Sequence, residues 1–202
     1  MYQPALHRET RPEVMEALIQ AHPFGLLIST GPEGLLANGL PFHLSGNRLQ
    51  VHIARANPQW QTLDGQDVLV VFQGPLTYIT PAFYASKKEH GKVVPTWNYA
   101  MVQVRGRARL QNDPAWLAAQ IAKLTDGMEA DRPAPWAVTD APDDFIAMQM
   151  KAIVGVEIEI TAMEGKWKVS QNRNEADKRG VVEGLAESHP EMADLVRSFG
   201  NL

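Results

Sequence analysis

Apolar positions near the start of the chain recur at helical spacing. Val14, Leu18 and Ile19 form a stripe, Pro12 suits a first helical turn, and Thr10 and Glu13 have the spacing of a capping box. The pattern then shortens to strand-length runs at Phe24 to Thr30, Leu35 to Leu44, Leu49 to Ala54 and Val68 to Gln73. Gly31-Pro32-Glu33-Gly34, Ser45-Gly46-Asn47 and a proline-initiated helical turn from Asn57 to Leu63 separate them. In that turn Asn57 is a cap-type residue and Pro58 a first-turn residue, so a helix N-terminus is predicted directly after a strand.

Strict alternation follows over 102–110. Val102, Val104, Gly106, Ala108 and Leu110 face one way, and Gln103, Arg105, Arg107 and Arg109 the other, which predicts a half-buried strand with a basic face. Asp113-Pro114 opens a helix carrying Trp116, Leu117, Gln120, Ile121 and Leu124 at helical spacing. Residues 127–142 read as a proline-rich loop and 143–152 as a helix, whose Asp143 and Asp144 offset the macrodipole. Val154 to Thr161 alternates again, Gly165 is expected to turn the chain into Lys166 to Ser170, and two helices follow, the second capped by Ser188 and Glu191. About eight strands with short connections and inserted helices predict an α+β fold, a mostly antiparallel barrel with flanking helices. It is expected to be a single domain over 1–202, with the barrel at about 24–170 and a C-terminal helical segment at about 174–200.

Composition changes this picture mainly by exclusion. Hydrophobic residues are 45% and charged residues 21% of the 202, enough apolar material for a packed core. The absence of cysteine excludes disulfides, thiolate metal sites and thiol nucleophiles. The longest apolar runs, such as Val68 to Phe72 and Ala152 to Val156, are strand-length, and His7, Arg8, Glu9 and Arg11 interrupt the stretch a secretion signal would need, so a cytoplasmic location without membrane association is expected. The six histidines show no HxH or HExxH spacing, and no G-x-S-x-G, G-x-G-x-x-G or Walker A sequence occurs. No metal site and no catalytic residue are therefore assigned.

Charge is informative locally. The formal net charge is -4, yet Lys87, Lys88, Lys92, Arg105, Arg107 and Arg109 stand against the single acid Glu89. Lys166, Lys168, Arg173, Lys178 and Arg179 form a second basic stretch. Each reads either as a solvated face or as a contact for phosphate or nucleic acid. Arg55 beside the Asn57 turn combines a guanidinium with a predicted helix start, which suits a phosphate, or else it pairs with a surface carboxylate. Val94-Pro95-Thr96-Trp97-Asn98-Tyr99 suits a planar ring with polar edges, or else an aromatic strand start packed in the core.

Four segments together carry a family resemblance: His52 to Trp60 (HIARANPQW), Gly74 to Tyr84 (GPLTYITPAFY), Val93 to Tyr99 (VVPTWNY) and Ser170 to Arg173 (SQNR). In this order they resemble the PaiB family of negative transcriptional regulators. The resemblance implies an FMN-binding split β-barrel, homodimeric, related in fold to the pyridoxamine phosphate oxidases. It implies that His52, Ala54, Arg55 and Asn57 hold the FMN phosphate end and that Thr96, Trp97 and Asn98 line the flavin ring. Lys168, Asn172 and Arg173 are expected to reach the cofactor from the other subunit of the dimer. The oxidases carry basic flavin-binding residues on the second barrel strand, whereas Ala37 to Phe42 here has none, so oxidase chemistry is not carried over. The resulting expectation is an FMN-binding regulator, with DNA, if contacted directly, met by Lys87, Lys88, Lys92, Arg105, Arg107 and Arg109. An FMN-dependent oxidoreductase is the alternative, and a haem-binding barrel using His43, His52 or His90 comes third.

Overall fold

The computed structural model describes residues 1–202. In chain order its elements are β1 (Arg8–Glu9), α1 (Pro12–Ala21), β2 (Phe24–Gly31), β3 (Gly34–Pro41), β4 (His43–Ser45), β5 (Arg48–Ala54), α2 (Trp60–Leu63), β6 (Asp67–Ile79), α3 (Ser86–His90), β7 (Thr96–Gln111), α4 (Pro114–Glu129), α5 (Asp143–Lys151), β8 (Ile153–Lys168), α6 (Glu175–Leu185) and α7 (Pro190–Gly200). The eight strands run in the order β3-β2-β6-β7-β8-β5-β4, with β1 added to β8. β2 pairs antiparallel with β3 and β6, and β5 with β4 and β8. This is the α+β, mostly antiparallel architecture expected.

The chain forms two compact units, one of residues 1–18, 73–102 and 164–202, the other of residues 19–72 and 103–163. In the second unit, alternation on β5 and β8 builds the core. Leu49 lies opposite Ile158, Val51 opposite Val156 and Ile53 opposite Val154, and all six are fully buried. Phe42 and Phe72 meet edge to face at 5.5 Å, and Leu27 and Val70 face each other between β2 and β6. On β7, Val104, Gly106 and Ala108 are buried while Arg105, Arg107 and Arg109 are exposed, as the alternation predicts.

In the first unit, α6 and α7 bury Val181, Leu185, Met192, Ala193 and Val196. Trp167 stacks on Phe199 at 6.1 Å, and the Arg11 guanidinium lies 5.4 Å from the centre of the same ring. Ser86 and Asp177 are both buried, and the Asp177 carboxylate accepts from the Ser86 backbone N–H at 2.9 Å and from its hydroxyl at 2.7 Å.

Several boundaries differ from the sequence reading. Gly165 does not turn the chain: β8 is one strand, and Gly165 is small there because Met15 and Trp167 crowd it, a Cβ lying 2.8 Å from each. The run from Leu35 to Leu44 is divided between β3 and β4, because Pro41 has no N–H to continue the ladder and the Phe42 N–H turns instead to the Pro23 carbonyl. The helical turn is shorter than expected and starts at Trp60, while β6 and β7 extend to Ile79 and back to Thr96. At α1 the Glu9 carboxylate, not a Thr10–Glu13 pair, accepts from the Thr10 and Arg11 N–H groups. Helix α7 begins at Pro190 after His189, whose side chain makes no cap bond, so Ser188 and Glu191 do not cap it.

Gly180 gives a clean test of packing. Alanine normally stabilises a helix interior relative to glycine by about 1 kcal/mol. A Cβ at Gly180, inside α6, would stand 2.0 Å from the Phe83 carbonyl oxygen. Gly180→Ala is therefore expected to destabilise the protein by about 1–3 kcal/mol, as overpacking does, read from chemical denaturation; a gain in stability would show that this contact is soft.

Candidate functional site

The first group of expected site residues lies in the second unit, at the end of β5. Alternation buries Val51 and Ile53 and leaves His52 and Ala54 on the other face. The ladder to β8 continues one step past the strand, with the Arg55 N–H donating to the Ala152 carbonyl at 2.7 Å. The Arg55 side chain repeats the pattern, Nε donating to the Lys151 carbonyl at 3.1 Å and Nη2 to the Ile153 carbonyl at 3.0 Å. Its guanidinium lies 5.7 Å from the centre of the Trp60 ring, and the indole N–H of Trp60 donates back to the Arg55 carbonyl. The guanidinium is thus held by carbonyls and a ring, with no carboxylate partner, and its remaining N–H groups are free for an anion.

The turn beyond it is fixed by side chains. Asn57 Oδ1 accepts from the Gln59 N–H and so closes the turn, but it does not cap the helix as the spacing predicts: the helix is four residues long, begins at Trp60 and has Gln59 at its N-cap with no side-chain cap bond. Gln59 is buried and ties this turn to β2 and β3, donating to Ser29 Oγ at 2.8 Å and accepting from Asn38 Nδ2 at 2.8 Å. His52 Nδ1 pairs with Gln120 Oε1 on α4 at 2.9 Å. The amide nitrogen of Gln120 is buried and has no partner. A cavity of about 360 Å³ is lined by Arg55, Asn112 and Lys151 together with Pro114, Leu117, Ala147 and Met150, so two cations and one amide stand beside an apolar wall.

The remaining expected residues lie in the first unit. Trp97 is 53% exposed and meets Tyr78 edge to face. Asn98 is fully buried, with its amide spent on Ser170 Oγ. Lys168 Nζ donates to Thr96 Oγ1 and, at 2.7 Å, to the Trp97 carbonyl, which ties the end of β8 to the start of β7. Arg173 lies 4.2 Å from the centre of the Tyr84 ring, Tyr84 is buried with an unpartnered hydroxyl, and Asn172 is exposed. Burial, with Lys166 and Arg173 nearby, holds the Lys168 ammonium below the usual lysine value, and burial pushes the Tyr84 phenol up. The helix candidates Lys87 and Lys88 are exposed on α3, and Lys92 on the loop after it. His43 lies beside a cavity of about 280 Å³, and the His90 ring accepts from the Lys92 N–H. No helix is long and apolar enough to cross a membrane.

Residues 1–162 match the family described as "Putative FMN-binding domain". The chain is 33% identical to Protease synthase and sporulation protein PAI 2 of Bacillus subtilis, over 97% of this chain and 96% of that one. The chain belongs to this FMN-binding, PaiB-like family. An uncharacterised protein of Aspergillus fumigatus is 32% identical, over 92% of this chain and 90% of that one. Among solved structures, the flavocytochrome Anf3 of Azotobacter vinelandii is similar in fold, with a TM-score of 0.62 and 18% identity, over 85% of this chain and 74% of that one. The fold of this FMN-binding family member is accordingly the split barrel of flavoproteins, and its cofactor class is flavin.

Sequence reasoning missed the roles of Gln59 and Gln120, and it named Lys166 only as part of a basic stretch, without its burial. Gln59 and Gln120 are polar residues whose burial depends on partners 21 to 68 positions away. Lys166 stands in a basic stretch that reads either as a solvated face or as an anion contact, yet it is only 8% exposed. Two partly buried histidines make stability depend on pH. Burial holds His7 and His43 below the usual imidazole value of 6.5, lysine charges adding to the effect, so the folded state binds fewer protons than the unfolded. Their stabilising contribution is present above about pH 6.5 and is lost as pH falls toward their folded values. Glu9, held low by Arg11, acts only below its usual 4.5. The unfolding free energy is expected to drop between pH 7.5 and 5.5, and the drop to shrink in a His7→Gln/His43→Gln variant; an unchanged drop would assign it to other groups.

Proposed function

We propose that this protein binds FMN at the end of β5, with Arg55 taking the phosphate, and that it acts as a negative regulator of transcription in the manner of PaiB-like proteins. The observation that carries the FMN reading is the Arg55 guanidinium, fixed by two backbone carbonyls and Trp60 without a carboxylate partner. The donor set fits a flavin phosphate: a pre-oriented guanidinium, the Lys151 ammonium lining the same cavity, and a turn closed by the Asn57 side chain. Bound FMN would supply a planar, redox-active ring. The protein's own part is to hold the phosphate through Arg55, with His52, Ala54 and Asn57 shaping the strand end and turn around it. A homodimer is part of this reading, supported by the apolar side chains that β2 and β3 leave open, Phe24 at 68% and Leu35 at 79% exposure.

Arg55→Ala is expected to weaken FMN binding at least tenfold while leaving the fold intact, measured by quenching of flavin fluorescence on titration. Unchanged affinity would remove the phosphate from this site.

The regulatory half rests on the family and on the exposed row of Arg105, Arg107 and Arg109 along β7. Of these only Arg107 faces a carboxylate, Asp67 at 3.5 Å. Direct DNA contact through this row predicts an affinity that falls steeply between 50 and 200 mM salt, roughly tenfold or more for a few phosphate contacts, and that falls further when Arg105 and Arg109 are both replaced by Gln. Binding that ignores salt, measured by fluorescence anisotropy, would rule out a phosphate-dominated contact.

A further inference from the structure

The second unit holds a cavity of about 280 Å³ that the Arg55 site does not use. It lies where the end of α1 and the start of β4 meet the last turns of α4. Ile19 and Phe42, both buried, line it from the core, Leu44 and Leu124 are half-buried beside them, and Met128 is exposed at its edge. Three polar side chains share this lining, His43, Lys123 and Gln20, and none of them has a hydrogen bond or an ion pair within the chain. Lys123 stays unpaired although Asp126 stands three residues further along α4, a spacing that suits an ion pair. Burial and the nearby Lys123 charge hold His43 below the usual imidazole value, so at neutral pH its uncharged ring keeps one donor and one acceptor.

Gly127 supplies an independent observation. Glycine inside a helix costs stability, and elsewhere in this chain crowding accounts for it, as at Gly180 in α6 against the Phe83 carbonyl. At Gly127, inside α4, a Cβ would meet nothing within 4 Å, and the backbone there is not left-handed. Neither crowding nor backbone conformation asks for glycine, and the space its missing side chain leaves open is the cavity it lines. That space is also remote from Arg55. His43 stands opposite Gln50 in the β4–β5 ladder, and Arg55 follows five residues after Gln50, about 17 Å away at about 3.4 Å per residue. The two cavities share no lining residue.

We infer that this cavity binds a small monocarboxylate with an apolar ring or short chain, its carboxylate at Lys123, His43 and Gln20 and its body against Phe42, Leu44 and Leu124. One cation, an uncharged imidazole and an amide match the single charge and two oxygens of a carboxylate, whereas they leave a phosphate dianion half neutralised. The volume falls just below the range of about 300–1,000 Å³ that drug-sized ligands fill, so a single ring or a short chain fits and a three-ring flavin does not. The site does not rest on the FMN reading.

Benzoate and hexanoate titrated into the full chain, followed by calorimetry, test it. At least one is expected to bind saturably, with acetate, which lacks the apolar body, weaker by about tenfold or more. Lys123→Met is expected to weaken binding by about tenfold or more through loss of the cation. Gly127→Leu fills the cavity from a helix position that tolerates a side chain, so it is expected to abolish binding while the melting temperature holds or rises. Arg55→Ala and saturating FMN are expected to leave carboxylate binding unchanged. Binding lost in Arg55→Ala, or displaced by FMN, would place the carboxylate in the flavin site and overturn the inference. No binding of either probe, or binding that survives both Lys123→Met and Gly127→Leu, would overturn it equally. Inorganic phosphate that binds as tightly as the carboxylates and is indifferent to Gly127→Leu would reduce Lys123 to a surface cation. Carboxylate binding in a protein that takes no FMN would leave this site standing and overturn the FMN reading instead.

Discussion

The register of β5 against β8 is the constraint on which the Arg55 site depends. Leu49, Val51 and Ile53 face Ile158, Val156 and Val154, six apolar side chains with no exposed surface. A slip by one residue would bring His52 and Ala54 to the buried face and turn this core outward, so the register has no close competitor. Arg55 inherits that certainty. Its backbone N–H takes the next carbonyl in line, at Ala152, and its side chain takes the carbonyls on either side of that residue, at Lys151 and Ile153. A flexible arginine thereby becomes a pre-oriented donor, and the ordering is supplied by the sheet before any ligand arrives.

In the first unit the governing quantity is the supply of negative charge. Its buried or partly buried carboxylates serve the fold: Glu9 opens α1 and holds Arg11, Asp177 holds the Ser86 turn, and Asn174 in turn accepts from the Asp177 N–H to cap α6. Those assignments leave none for the cations at the end of β8. Lys168 compensates in part by donating to Thr96 and to the Trp97 carbonyl, which join β8 to β7, but a hydrogen bond to a neutral oxygen does not cancel a charge.

Much of this was legible from periodicity. The alternation over 102–110 predicts which face of β7 is basic, and the helical spacing of Trp116, Leu117 and Gln120 predicts α4, because both depend only on neighbours along the chain. The stop at Pro41 and the run through Gly165 were not legible, since the first depends on where the Phe42 N–H finds an acceptor and the second on the bulk of Met15 and Trp167. The candidate site divides in the same way. Arg55 and Asn57 stand out as a motif, whereas Gln59 and Gln120 gain meaning only through bonds to Ser29, Asn38 and His52. Lys166 is the sharpest case: it is legible as one cation of a basic stretch, but the rings it packs against, Tyr2 and Tyr99, lie far from it in the chain.

Arg55 and Lys166 are therefore cations in different circumstances. Arg55 is exposed and fully solvated where it is not hydrogen-bonded, so leaving it without an anion costs little, and a ligand there gains from orientation more than from relief of strain. Lys166 has given up most of its water for two ring faces, and that penalty is already present in the folded chain.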